Sequence, residues 1–132
     1  MHLLDSDTSI RLMRYQPSFV TRLAALRASE VFISSITYHE LYYGALHSGN
    51  PDRHFKLLET LTGAVTVLPF TRSSANRSAE VRESLAAKGI PIGPLDTLIA
   101  GHALEHELTL VTGNVRDFSR VEGLALENWD ET

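Results

Sequence analysis

Residues 3–10 read LLDSDTSI. Two leucines halted by an acid read as a short buried strand ending at Asp5, and the polar residues that follow suit a helix start. Working outward, the same alternation recurs. Residues 31–33 (VFI) form a β-branched and aromatic run, a strand signal. Further strands are expected at 65–68, which stops at Pro69, at 109–111, and at 124–126 as a last edge strand. Helical patterns occupy 8–14, 18–27 after Pro17, 37–47, 52–62, 74–88 and 95–106. Residues 74–88 run into Gly89, a common residue just past a helix end. Strands separated by helices predict an α/β fold with a mainly parallel sheet.

Composition bounds the class. With 132 residues, one domain over 1–132 is expected. There are no cysteines, so disulfides, thiolate zinc sites and cysteine nucleophiles are excluded. No apolar run approaches the roughly 20 residues of a membrane span. The N-terminus meets an acid too early for a signal peptide. A cytoplasmic protein is expected. The net charge of −4 is unusual for a nucleic-acid binder. Yet Lys56 and Lys88 are the only lysines, so ten of the twelve basic residues are Arg, which suits bidentate phosphate recognition. Acids gathered around divalent cations would also be partly neutralised.

In parallel sheets the site lies beyond the carboxyl ends of the strands. That places the chemistry at Asp5, Ser6 and Asp7, at Ser34 and Ser35, and at Thr112, Gly113 and Asn114. Glu40 lies in the first turns of the helix after strand 31–33. Asp96 opens a helix after the rigid loop GIPIGP (89–94), and Asp117 follows Thr112. Carboxylates converging at one edge repel unless they protonate or hold a cation. Hard oxygens select magnesium or manganese. Each acid also has a structural reading. Asp5 and Asp7 could cap a helix. Thr37 and Glu40 fit a capping box. Asp96 could favour a helix N-terminus, and Asp117 could pair with Arg120. Spacing alone leaves both readings open.

The motifs carry further. LLDSDTSI resembles the first motif of PIN-domain proteins. ISSITYHELYYGA (33–45), GIPIGPLDTLIAGHAL (89–104) and LTLVTGNVRDFSRVEGLALENW (108–129) resemble the second, third and fourth. The IGPLD and ENW segments are similar to the VapC-type toxins within that family. The resemblance implies a PIN-like fold of about five strands flanked by helices, and an endoribonuclease dependent on Mg2+, with Mn2+ as a substitute. It implies Asp5, Glu40 and Asp96 as metal-organising acids, Asp117 as a fourth, and Thr112 as a hydroxyl beside them. Asn114 departs from a frequent Asp, which would weaken a second metal unless Asp117 compensates. Asp7 departs from a frequent Asn and adds charge near the site. The implied partners are a VapB-type antitoxin, a structured RNA such as a tRNA anticodon stem-loop, and a second copy in a homodimer. DNA would be met only through the antitoxin, and no membrane is involved.

Two rival enzyme readings and one inert reading remain. Asp5 and Asp7 after a strand resemble the nucleophile motif of haloacid-dehalogenase phosphatases, but neither lysine follows a strand and no downstream Asp-Asp pair occurs. His102, Glu105 and His106 match H-x-x-E-H, a zinc pattern, with two histidines on one helix face. Lacking an evident third ligand, they read as a solvated helix end. A catalytically inert PIN-fold RNA-binding module would need degraded acids, and they are intact.

Overall fold

The computed structural model describes residues 1–130. Five strands form an all-parallel sheet in the order β3-β2-β1-β4-β5. They are β1 (His2–Leu4), β2 (Val31–Ser34), β3 (Thr66–Leu68), β4 (Thr109–Val111) and β5 (Leu126–Glu127). Leu4 lies beside Ile33 on one side and Val111 on the other. The carboxyl ends of the three central strands are therefore level. The strand order reverses at β1, with β2 and β3 to one side and β4 and β5 to the other. That crevice between β1 and β4 is where a parallel sheet binds ligands.

The helices are α1 (Ser6–Met13), α2 (Pro17–Ala24), α3 (Ser35–Leu46), α4 (Pro51–Ala64), α5 (Arg72–Ala87), α6 (Pro94–Glu105) and α7 (Val115–Phe118). Successive strand side chains point to opposite faces, so each strand feeds two cores. Leu4, Val31, Ile33 and Val111 pack with Leu12, Phe19, Leu41, Leu58 and Trp129 beneath α1–α4. Leu3 and Leu110 pack with Val81, Leu85, Ile99, Ala103 and Phe118 beneath α5–α7. Each buried leucine contributes about 1.5–3 kcal/mol.

The α5–α6 crossing is unusually close. A Cβ at Gly101 would overlap the backbone of Ser78, so glycine there lets α6 lie against α5. Pro94 occupies the first turn of α6, where its missing N–H costs nothing. Gly89 follows α5 with φ +69°, a conformation that closes helices without a Cβ penalty.

Many boundaries fall a residue or two from the sequence reading, and four of the differences are informative. Helix α3 starts at Ser35, capped by Ser34, whose side chain accepts from the Ile36 amide. Thr37 is buried inside the helix rather than capping it. The expected second helix ends early, at Ala24, and a 3₁₀ turn at Ala28–Glu30 follows after a break. Helix α7 was not anticipated. The edge strand falls at Leu126–Glu127 rather than 124–126.

Candidate active site

Asp5 leaves β1 and becomes the N-cap of α1. Its Oδ1 accepts the Thr8 amide at 2.8 Å, so the capping reading of Asp5 holds. The cap uses Oδ1. Asp5 is only 7% exposed. Burial pushes its carboxyl above the ordinary aspartate range. Hydrogen bonds from the Thr112 side chain and the Thr8 amide pull back, and Asp7 pushes up again.

Asp96 stands in the first turn of α6. Its carboxyl is also raised, first by burial, then by the charges of Asp5, Asp117 and Glu40. Helix placement alone would lower it. Asp5 at the N-cap of α1, Glu40 on α3 and Asp117 on α7 thus lie near enough to Asp96 for their charges to add to the effect of burial.

Glu40 lies on α3, and its Oε1 accepts a hydrogen bond from Ser6 Oγ at 2.7 Å. The capping-box reading of Glu40 is overturned, because the N-cap is Ser34, three residues before Thr37. Ser6, noted in the sequence only by its place after β1, is the residue that fixes Glu40 across from Asp5.

Asp117 pairs with Arg120, its Oδ1 lying 3.6 Å from Nη2, and also stands near enough to Asp96 for its charge to be felt there. Asn114 links the pair: its Nδ2 donates to Asp117 Oδ2 at 3.1 Å, and its side chain hydrogen-bonds Asp96. Thr112 is fully buried. Its Oγ1 accepts the Asn114 amide at 2.9 Å, so its hydroxyl proton is available to Asp5. Asp7 is largely exposed and pairs with Arg11 at 3.1 Å, which offsets its added charge. Arg11 also holds Asp130 at 3.2 Å.

Among the described residues, no three of these carboxylates close to within 4.8 Å of one another. The donor set consists of hard oxygens, which fits Mg2+ or Mn2+. The one trio of acid and imidazole groups that does close to 4.8 Å is His102, Glu105 and His106. The solvated-end reading holds for His106, which is exposed, and fails for His102. His102 is wholly buried because α6 lies flat on the sheet, and its Nδ1 is 2.9 Å from Ser34 Oγ.

The PIN-domain family pattern matches residues 3–124. The chain belongs to the PIN-domain family. Within it, the chain groups with the VapC ribonucleases. It is 38% identical over 127 residues to the tRNA(fMet)-specific endonuclease VapC of Salmonella typhimurium, covering 96% of each chain. It is 34% identical to ribonuclease VapC2 of Haemophilus influenzae over 97% of each. The DNA-bound VapBC structure from Salmonella typhimurium superposes with a TM-score of 0.92 at 36% identity, covering 98% of each chain. VapBC2 of Rickettsia felis, bound to a promoter DNA fragment, gives 0.92 at 31% and the same coverage. Membership in this family sets aside the phosphatase reading. Among the described residues, no helix of this PIN domain is long and apolar enough to cross a membrane.

Proposed function

We propose that the chain works as a single PIN unit, the toxin of a type II toxin–antitoxin pair, and hydrolyses a phosphodiester in a structured RNA. The carrying observation is that Asp5, Asp117 and Glu40 stand close enough to the Asp96 carboxyl for their charges to add to burial in raising it. Four carboxylates facing one crevice repel one another, and a divalent cation turns that repulsion into binding. Asp5 and Asp96 would hold Mg2+ or Mn2+, with Glu40 and Asp117 completing the oxygen set. When bound, the ion neutralises phosphate charge and lowers the pKa of water.

The chain's own groups supply the positioning. Ser6 aims Glu40, so one carboxylate oxygen is committed to the hydroxyl and the other is left to orient water or ion. Thr112 steadies Asp5. Asn114 holds Asp96 and Asp117 at a fixed separation with a neutral donor. Water adds to phosphorus as the P–O3′ bond breaks, giving a 5′-phosphate and a 3′-hydroxyl. The 2′-oxygen takes no part.

The tRNA(fMet) endonuclease name of the Salmonella relative supports a tRNA substrate, with the anticodon stem-loop the first site to try. The VapBC complexes support a VapB-type antitoxin partner and DNA contact through that partner. We propose that the toxin pairs as a homodimer in the cytoplasm. The test is cleavage of purified tRNAs by the wild type and by Asp96→Asn, with Mg2+ and with excess chelator. Site-specific cuts bearing 5′-phosphates, lost in the variant and in chelator, are expected. Full cleavage by Asp96→Asn, or cleavage undiminished by chelator, would overturn the reading.

A further inference from the structure

Six residues beyond Asp96, about 9 Å along α6 at 1.5 Å per residue, a different set of groups converges. One ring nitrogen of His102, a carboxylate oxygen of Glu105 and one ring nitrogen of His106 lie within 4.8 Å of one another. The spacing i, i+3, i+4 puts all three on one helix face. His102 is wholly buried; its Nδ1 meets Ser34 Oγ, the Pro69 carbonyl lies beside the ring, and its Nε2 has no partner of hydrogen-bonding geometry. A buried imidazole nitrogen left unpaired is costly. Glu105 is held from behind: Ser74 Oγ, on the first turn of α5, donates to its Oε1 at 2.5 Å. That is the outer-shell support a ligating carboxylate needs. His106 Nε2 stands 3.2 Å from the same oxygen and is partly open to solvent, which gives an ion a way in.

We infer that His102, Glu105 and His106 form a zinc site separate from the carboxylate crevice. Two imidazoles and one carboxylate are the ligand set of a three-protein-ligand zinc centre, with water in the fourth position. This nitrogen-rich set disfavours Mg2+, whereas the crevice, all oxygen, favours it. Tetrahedral coordination at about 2.0–2.1 Å needs the donors drawn closer than they stand. The two outer side chains can move, since His106 is exposed and Glu105 is only partly buried. A zinc ion there would join the last turn of α6 to the first turn of α5 through Ser74. The rival is a purely structural His102, bonded to Ser34 and lying beside the Pro69 carbonyl, next to an ordinary Glu105–His106 surface pair.

The experiment titrates Co2+, then Zn2+, into the full chain and reads visible d–d absorption and thermal unfolding. The wild type should give the intense spectrum of tetrahedral Co2+, displaced by one equivalent of Zn2+, with a rise in Tm. His106→Ala and Glu105→Gln alter accessible residues and should each weaken binding at least about tenfold, the lower end of what outer-shell losses alone cost. Asp5→Asn/Asp96→Asn should keep the tetrahedral spectrum. A spectrum no stronger than that of hydrated Co2+ would overturn the proposal. So would a spectrum unchanged in His106→Ala and Glu105→Gln, or one lost in Asp5→Asn/Asp96→Asn, which would place the ion in the crevice.

Discussion

Asn114 puts a neutral amide between two acids that would otherwise repel, since it hydrogen-bonds both Asp117 and Asp96. This explains how an amide can stand where the resemblance leads one to expect a carboxylate. Asn114→Asp replaces a donor with a fifth charge. The metal-free protein should lose thermal stability, and activation should shift to lower Mg2+. Asp117→Asn should do the reverse, moving the Mg2+ titration of cleavage to higher concentration, whereas Arg120→Ala should leave it in place. Superimposable titrations for wild type, Asp117→Asn and Arg120→Ala would reduce Asp117 to a surface partner. Ser6 makes a second prediction. Its hydroxyl is bonded to an ionised acceptor, an interaction of about 1.5–3 kcal/mol. If Glu40 must be aimed, Ser6→Ala should lower turnover about tenfold or more, the equivalent of 1.4 kcal/mol. The Mg2+ requirement should persist. Unchanged turnover in single-turnover assays would show that Glu40 needs no such support.

Helix α6 ties the site to the core, because Asp96 opens it and Gly101 seats it against α5. Gly101→Ala forces a methyl group into the Ser78 backbone, which cannot rotate away as a side chain could. Overpacking of this kind costs about 1–3 kcal/mol. Denaturant unfolding should show that loss, and cleavage should fall with it as Asp96 shifts. A change under about 0.5 kcal/mol would mean the helices part freely. At this scale the sequence was legible wherever a periodic run exceeded two turns, or where β-branched residues clustered, as in β2. It was less legible at ends. The Thr37…Glu40 pair imitates a capping box, but Ser34 stands at the strand end and caps first. Helix α7 has four residues, too few for periodicity to register. The acids at the strand ends could be found because a parallel sheet dictates where chemistry collects. The aim of Ser6 at Glu40 spans 34 residues, and the burial of His102 depends on how α6 lies on the sheet. No local pattern encodes either one.

Across the whole molecule, the crevice should make stability depend on pH and metal together. The folded carboxyls of Asp5 and Asp96 are raised above 3.8. A raised acid holds its proton better when folded, so its contribution is fully present below the unfolded value and is lost as pH rises through the folded one. At neutral pH, without metal, both aspartates therefore destabilise the fold. Three other groups act in the opposite sense, the exposed Glu30 among them, lowered by hydrogen bonds from Arg27. Burial, and then the charge of His106, lower the His102 imidazole below 6.5, so stability falls as pH drops through that value. Burial pushes Glu127 up, but hydrogen bonds from Trp129 and His2 outweigh it and leave it below 4.5. Its contribution is present above 4.5 and lost as pH falls through the folded value. Asp5→Asn/Asp96→Asn keeps Glu30, His102 and Glu127, so comparison with wild type cancels them. Asparagine can still cap α1 through its side-chain oxygen. In chelator at neutral pH the double variant should melt higher than wild type, and the gap should close as pH falls toward 3.8. Mg2+ should reverse the order at neutral pH. An ion that binds only the folded chain adds about 2.7 kcal/mol at one hundred times its Kd, which is several degrees in Tm for a domain of this size. The increment should vanish in acid, where protons occupy the same oxygens, and be absent from the double variant at every pH. A Mg2+ increment that is independent of pH, or that survives in Asp5→Asn/Asp96→Asn, would place the ion elsewhere on the molecule.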